Sequence, residues 1–327
     1  MYLTYRPGTG ADIAACIAML PKGVFSDPDI RSAMSDCWRR WLRGEEMLLT
    51  VMEDEERPFG ERQVAFGASV FVTDEFVRSI HTALMPPACA AVAMEAIQGR
   101  RRHLNLQQIR EANSGDGLNL LVLAIGWSPQ ITDFDELSRI RAKLLDAFMF
   151  THSGYKVRAT LQEVYSKSEM DRALAIGAFL ISDYHRVYGD DDSPTRPYMI
   201  GVTRSQVREG SYLWPLFLYN KPRFGFTSAE QEVLKRALID QTDAEIADAL
   251  CVSLSSIHKR WQSIFDRAGA TDVKWLPIRE PSQSERIGRG VEKRRHLLSY
   301  MRDHPEELRP TVLQPAARDM EPVRAVR

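Results

Sequence analysis

Two short segments of the same form constrain the fold of this chain more than any other feature. Thr227-Ser228-Ala229-Glu230 and Thr242-Asp243-Ala244-Glu245 each place a threonine three positions before a glutamate. Such a capping box begins a helix, because the hydroxyl accepts one free amide and the glutamate reaches back to another. Ser253 follows as a further capping residue. The sequence therefore predicts three short helices between Phe226 and Ala270, with Cys251-Val252 as the turn before the third.

The third of these helices divides into two faces by its helical period. An apolar face carries Ile257, Trp261 and Ile264, with Phe265 and Ala268, and should be buried. On the rest of the helix, Lys259 and Gln262 can reach base edges, and their neighbours can reach phosphates or bases. The candidate DNA contacts are Ser255, Ser256, His258, Lys259, Arg260 and Gln262. The alternative is an ordinary solvated helix face.

These residues carry a resemblance to a known family. The run FTSAEQEVLKRALIDQTDAEIADALCVSLSSIHKRWQSIFDRAGA resembles the LuxR-type (GerE-type) C-terminal helix-turn-helix domain, collinearly and without gaps. The resemblance implies DNA binding as a homodimer on two-fold related half-sites, with His258, Lys259 and Gln262 where the family reads DNA. The chain departs from the family at Cys251, which replaces a usual glycine, and near Asp240, where a turn glycine is missing.

The overall charge shows that bulk basicity does not drive any nucleic-acid binding. The formal net charge is -1, so DNA contacts must come from a local surface. A length of 327 residues fits two domains, and 44% hydrophobic residues predict packed interiors.

Cysteine spacing and the hydrophobic pattern bear on metal sites and location. Cys16, Cys37, Cys89 and Cys251 lie far apart and form no metal-ligand spacing, so no metal site is expected. Neither a signal-peptide pattern nor a membrane-length apolar run is found, so a cytoplasmic protein is expected.

The region 1–205 alternates helix-like and strand-like segments, which predicts an α+β or α/β domain. Leu118–Gly126 is a continuous apolar run typical of a buried central strand. Further strands are predicted at Val64–Thr73, Tyr155–Val164 and Phe179–Val187, and a long helix at Thr132–Thr151.

The order of these elements resembles the GNAT acyltransferase fold. The resemblance assigns the opening strand to Leu3–Arg6 and the central strand to Leu118–Gly126. It assigns the late helix, with the start of the strand that follows it, to Ser166–Phe179. The family binds acyl-CoA pyrophosphate in a glycine-rich turn after the central strand. Here the turn is Trp127–Thr132, which has neither a glycine pair nor a basic residue. We therefore expect a sensor or scaffold domain without catalytic residues or a cofactor, and a chain that is not an enzyme; cofactor-binding residues stay unassigned.

The remaining boundaries follow from composition. An apolar connector is predicted at 206–225, the helix-turn-helix at 226–272 and an extension at 273–327. The extension contains a basic helix, Glu285–Arg302, interpreted either as a DNA-backbone contact or as a solvated face over apolar packing. A mobile tail is predicted from Arg309 onwards.

Together the patterns favour a sequence-specific, LuxR-type bacterial transcriptional regulator controlled by its N-terminal domain. Its expected partners are a double-stranded DNA operator and a second copy of the chain. RNA polymerase and a small-molecule effector remain open as further partners, and no membrane is expected. The alternatives are a GNAT-like acyltransferase with a helix-turn-helix appendage, or a sigma-factor-like module.

Overall fold

A seven-stranded sheet forms the frame of the N-terminal part. The computed structural model describes residues 1–21, 24–80, 87–188, 196–273 and 289–312. The strands lie in the order β1-β2-β3-β4-β5-β7-β6. Their bounds are β1 Leu3–Pro7, β2 Met47–Asp54, β3 Gln63–Val72, β4 Leu118–Trp127, β5 Val157–Val164, β6 Phe179–Ser182 and β7 Tyr198–Thr203.

Among the described strands of this sheet, one neighbouring pair is parallel and the others are antiparallel. Strands β1 to β4 pair antiparallel in sequence, whereas β4 and β5 pair parallel. Beyond them β5, β7 and β6 are again antiparallel. A parallel pair needs a crossover, and the helix at Phe134–His152 supplies it.

Helices cover both faces of the sheet. In chain order, those of the N-terminal part are α1 Ile13–Ala18, α2 Pro28–Arg43, α3 Asp74–Ser79, α4 Ala88–Ile97, α5 Leu106–Ser114, α6 Phe134–His152, α7 Lys167–Ala175 and α8 His185–Tyr188. Along β4, Leu121 and Leu123 join the core formed with α1, α2 and α4, whereas Leu118 and Leu120 join the core beside α5. This two-sided burial explains the uninterrupted apolar sequence of β4.

Helix α2 shows how local sequence and core packing agree. The Asp27 side chain accepts the Asp29 amide at 2.8 Å, and Pro28 occupies the first turn. Trp38 and Trp41, almost wholly buried, bring this helix onto the sheet. Asp27 is therefore the residue that caps this helix.

A second core lies in the C-terminal part. The described helices that form it are α9 Ser228–Leu238, α10 Asp243–Ala249, α11 Leu254–Gly269 and α12 Arg289–Asp303. Both predicted capping boxes are present, at Thr227 with Glu230 and at Thr242 with Glu245. Ser253 caps α11 by accepting the Ser256 amide at 3.2 Å. From α12, Leu297 and Met301 are fully buried against the other three helices.

The residues 305–312, here called the C-terminal segment, connect the two parts. On one side Arg309 donates to the carbonyl oxygens of Phe150 and Ser153 at 2.7 and 2.8 Å. On the other side the Gln231 amide donates to the carbonyl oxygens of Glu307 and Arg309 at 3.0 and 2.9 Å. The C-terminal segment is therefore bonded to α6 and its following turn, and to α9.

Two sequence-based predictions differ from the structure. Strand β6 ends at Ser182 instead of Val187, and the short helix α8 begins at His185. Arg309 is 4% exposed and hydrogen-bonded, so the predicted mobility is wrong for residues 309–312. The rest of the predicted tail and most of the predicted spacer, 274–288, lie outside the described residues.

No helix within the described ranges is long and apolar enough to cross a membrane.

Candidate functional site

The turn between α10 and α11 fixes the angle at which the two helices meet. Cys251 takes a left-handed conformation with φ of 52°, and the Val252 amide donates to the Ala247 carbonyl at 2.9 Å. Ala247 itself is buried, and its small side chain allows close helix approach. Helix α11 then presents its polar face to the surface.

The six predicted contact residues lie between Ser255 and Gln262 of α11. Ser255, His258, Lys259 and Gln262 are exposed, while Ser256 and Arg260 are half-buried. Ser256 is engaged in the cap with Ser253, and the Gln262 amide donates to Asp266 at 2.9 Å. Lys259 forms no ion pair within the described part of the chain. The structure thus brings these residues onto one accessible surface, which contains donors and unpaired positive charge.

Asp243 joins α10, α11 and α12 at the edge of this surface. Its carboxylate accepts the Trp261 indole N–H at 3.1 Å and the Arg294 guanidinium at 2.7 Å. Arg294 also lies 4.2 Å from the centre of the Trp261 ring. The imidazole of His258 is 3.9 Å from the same carboxylate. The predicted basic helix is therefore anchored next to α11 through Arg294, a tertiary contact that no local sequence pattern indicates.

A different opening lies within the sheet, where β4 and β5 separate. Their parallel pairing ends at Val122 and Gln162, yet β4 continues to Trp127. The register with β3 shifts between Ala68 and Ser69, which leaves Leu123 as an extra residue in β4. Such a bulge bends a strand and increases its local twist. Backbone groups of β4 that face β5 past Val122 consequently have no partner strand among the described residues.

Glu163 is the first β5 residue beyond the last β4 pair, and it lies in a buried polar cluster. Its Oε2 accepts the Ala88 amide at 2.7 Å and the Tyr165 hydroxyl at 3.1 Å. The Cys89 thiol lies 3.9 Å from the same hydroxyl. Burial raises the pKa of Glu163 to about 7, against hydrogen bonds that lower it. The other carboxyl oxygen, Oε1, is buried as well, and Tyr184 is a further hydrogen-bond partner of the Glu163 side chain.

The segment after β4 does not fit the pyrophosphate of an acyl-CoA. Asp133 caps α6 by accepting the Glu136 amide at 2.8 Å, and Asp135 and Glu136 add acidic groups to the first turn. The amides of Ser128 and Ile131 already donate to backbone carbonyls. Because carboxylates repel a diphosphate and the amides are engaged, this helix start offers no anion site.

Comparison with solved structures concerns this N-terminal part. Arabidopsis thaliana NAA60 in complex with acetyl-CoA has 10% identity and a TM-score of 0.38, covering 62% of this chain and 99% of its own. A variant of the spermidine N-acetyltransferase SpeG from Vibrio cholerae has 9% identity and a TM-score of 0.37, covering 64% and 96%. The histone acetyltransferase HPA2 and related acetyltransferase from Corynebacterium glutamicum has 13% identity and a TM-score of 0.34, covering 62% and 95%.

The N-terminal part of this chain is similar to these acetyltransferase structures at low identity. Its own fold is α+β, with a mixed seven-stranded sheet among the described residues. No protein-family model and no curated protein matches the chain.

One prediction requires correction. The chain was expected not to be an enzyme, but the matched structures include several acetyltransferases, which contradicts that expectation. The expectation rested on the missing glycine pair in Trp127–Thr132. The missing glycine pair bears on the anion site after β4, and it does not bear on the opening between β4 and β5.

The sequence analysis missed the cluster around Glu163. Its members come from α4, from the end of β5 and from the residue after it, and no motif links them in the sequence. Within the described residues, no group of three His, Cys, Asp or Glu side chains is placed to hold a metal ion.

Proposed function

We propose that the C-terminal helices bind double-stranded DNA, with α11 lying in the major groove. The observation that carries this proposal is the accessible face of α11, on which His258, Lys259 and Gln262 are all exposed. A helix preceded by a crossing helix and a tight turn is the arrangement that docks into that groove. Lys259 is suited to guanine edges and Gln262 to adenine edges. Ser255, Ser256, His258 and Arg260 then contact phosphates or bases.

The proposal includes a homodimer on a two-fold symmetric operator, acting in transcriptional regulation. Support comes from the resemblance of α9–α11 to LuxR-type domains and from the packing that fixes α11. Glu230 of α9 accepts the Ser263 hydroxyl at 2.6 Å and the Arg267 guanidinium at 3.0 Å, so α9 and α11 are held together. A rigidly held helix limits the ordering cost of docking.

Selection of bound duplexes from a random library tests this proposal. The full chain should enrich a two-fold symmetric motif, and Lys259→Ala/Gln262→Ala should lose about 1–3 kcal/mol per specific base contact and relax the motif. The matched control is Lys167→Ala/Gln107→Ala, because both residues lie on exposed helix faces and the Gln107 amide, like that of Gln262, donates to an acidic residue four positions on. Unchanged selectivity in the α11 variant, or equal loss in the control, would contradict the proposal.

Acyl transfer is a second candidate function, located in the N-terminal part. The observation that favours it is Glu163, a buried carboxyl on the first β5 residue beyond the last β4 pair. A carboxyl with a pKa near 7 can accept a proton from an attacking amine at neutral pH. Unpaired β4 amides beside it are suitable donors to an acyl carbonyl oxygen.

Thiol release from acetyl-CoA, with a panel of amines and basic peptides as acceptors, tests the second candidate. Glu163→Gln should lower the acceptor-dependent rate at least tenfold, since a proton acceptor contributes about 10²–10⁴-fold. Exposed Glu61→Gln is the control. No acceptor-dependent release in the wild-type protein with any member of the panel would dismiss this candidate.

A further inference from the structure

A cleft of about 480 Å³ opens where α6, the connector and the C-terminal segment meet. Met149 and Phe150 of α6 form one wall, and Pro215 of the connector forms a second. Met301, Pro305 and Leu308 complete an apolar lining from the C-terminal part. A cleft of this size and character falls in the range of small-molecule sites.

Two arginines interrupt the apolar lining. Arg309 is 4% exposed, and its guanidinium lies 5.1 Å from the centre of the Tyr155 ring. It donates to carbonyl oxygens of Phe150 and Ser153, and no carboxylate of the described residues lies within ion-pair distance of it. Burial lowers the pKa of Arg309, which reflects the cost of holding its charge in this environment.

Arg302 lines the same cleft from its solvent side. It is exposed and forms no ion pair within the part of the chain that the structure describes. Ser153, Ser211 and Tyr212 also line the cleft, and the Tyr212 hydroxyl donates to Asp146 at 3.3 Å. Glu232 and Glu306 act on Arg309 through space, and neither lies within ion-pair distance of it. The cleft thus combines an apolar interior with two arginines that lack a direct carboxylate partner among the described residues, which is complementary to a molecule with an apolar body and one anionic end.

We infer that this cleft binds a small amphiphilic carboxylate. The alkyl body packs against Met149, Phe150 and Met301, and the carboxylate pairs with Arg302 and compensates the charge of Arg309. Methionine side chains adapt to apolar ligands of varied shape, which suits such a site. The inference goes beyond DNA binding and acyl transfer and depends on neither.

The location of the cleft gives the ligand access to both parts of the molecule. Its walls come from α6 of the N-terminal part and from α12 and the C-terminal segment. A ligand that contacts both sides favours the arrangement in which they are joined. The carboxylate would therefore stabilise the docked form of the C-terminal helices.

Titration calorimetry of the full chain with octanoate tests the inference. Octanoate should bind, and 1-octanol, which has the same chain without the charge, should bind at least tenfold more weakly. Arg302→Gln should weaken octanoate binding at least tenfold, whereas exposed Arg204→Gln should leave it unchanged. Ser211→Phe, which fills the cleft from the partly buried connector, should abolish it.

Several outcomes would overturn the inference. These are the absence of octanoate binding up to about 5 mM by folded protein, equal binding of octanoate and octanol, or equal binding by wild type and Ser211→Phe. Circular dichroism of each variant separates loss of binding from loss of folding.

Discussion

Asp240 and Cys251 are the residues at which the turns of the C-terminal helices store backbone strain. Both have positive φ, 61° for Asp240 and 52° for Cys251. These are the two places where the chain lacks a glycine that LuxR-type domains carry. An L-residue in this region has its Cβ too close to the following carbonyl, whereas glycine does not. Both turns therefore form although the left-handed conformation of Asp240 and Cys251 costs conformational free energy.

Replacing Cys251 by glycine should stabilise the protein. We expect Cys251→Gly to raise the free energy of unfolding by about 0.5–1 kcal/mol, since relief of the Cβ clash exceeds the added chain entropy. Asp240→Gly should gain less, because aspartate tolerates this conformation better. Urea denaturation measures both changes. Cys251→Ala keeps the Cβ atom and is the control; an equal gain there would exclude backbone strain as the cause.

Glu163 should make stability fall as the pH rises through neutrality. The pKa of its carboxyl is raised from 4.5 to about 7 in the folded protein, so its contribution is fully present below pH 4.5 and lost through pH 7. Glu163→Gln stays neutral, so between pH 5 and 8 wild type should lose about 3 kcal/mol relative to this variant. Chemical denaturation across this range gives the difference. His152, whose pKa burial lowers to about 3, affects both proteins equally.

A flat difference between wild type and Glu163→Gln over that range would show that the carboxyl is not buried as described. The exposed control Glu61→Gln should show no such pH-dependent difference.

At the scale of elements, local sequence signals are sufficient to predict most helices and strands. The remaining elements depend on pairing between residues that are distant in the sequence. The capping boxes at Thr227 and Thr242 predicted α9 and α10 because the signal lies within four residues. The same kind of signal, Asn105 with Gln108, begins α5 and was overlooked. Strand β2 was missed as well, since its evidence is pairing with β1 and β3. The Glu163 cluster depends on tertiary burial and could not be predicted locally.

Asp243 should contribute to the packing of three helices. Asp243→Ala leaves the Trp261 N–H without its acceptor and Arg294 without its ion pair, at a cost of about 1–3 kcal/mol. Thermal or urea unfolding measures this loss. Exposed Asp248→Ala on the same helix is the matched control, and an equal effect there would mean that only helix α10 was weakened.

At the scale of the whole molecule, the C-terminal segment holds two separate cores together through polar contacts. The Asn113 amide donates to the Pro310 carbonyl at 2.9 Å, and the Arg223 amide donates to Glu307 at 2.6 Å. These bonds join residues that are 197 and 84 positions apart in the sequence, so composition could not reveal them. They also make the orientation of α11 depend on the N-terminal part.

Gly154 tests this connection because a side chain there would meet the C-terminal segment. An ideal Cβ would lie 2.4 Å from the Pro305 carbonyl carbon and from the Glu306 amide nitrogen. Gly177→Ala is the control, since Gly177 also has positive φ but open space around it. Both variants should lose about 1–2 kcal/mol from backbone strain. Gly154→Ala should lose more, and the backbone amides of residues 305–309 should exchange hydrogen faster in this variant.

Equal stability loss in the two glycine variants, with unchanged amide hydrogen exchange in residues 305–309, would show that the close approach at Gly154 is not maintained.

The bonds of Arg309 also impose an order on synthesis. Its partners Phe150 and Ser153 leave the ribosome long before Arg309 itself does, and Gln231 follows between them. The sheet can fold as soon as β7 is made, but docking of the C-terminal helices must wait until residues 305–312 emerge. Until then, water binds the carbonyl groups of Phe150 and Ser153 in place of Arg309. A nascent chain at this stage would have a folded sheet, while α11 would not yet be docked against the N-terminal part.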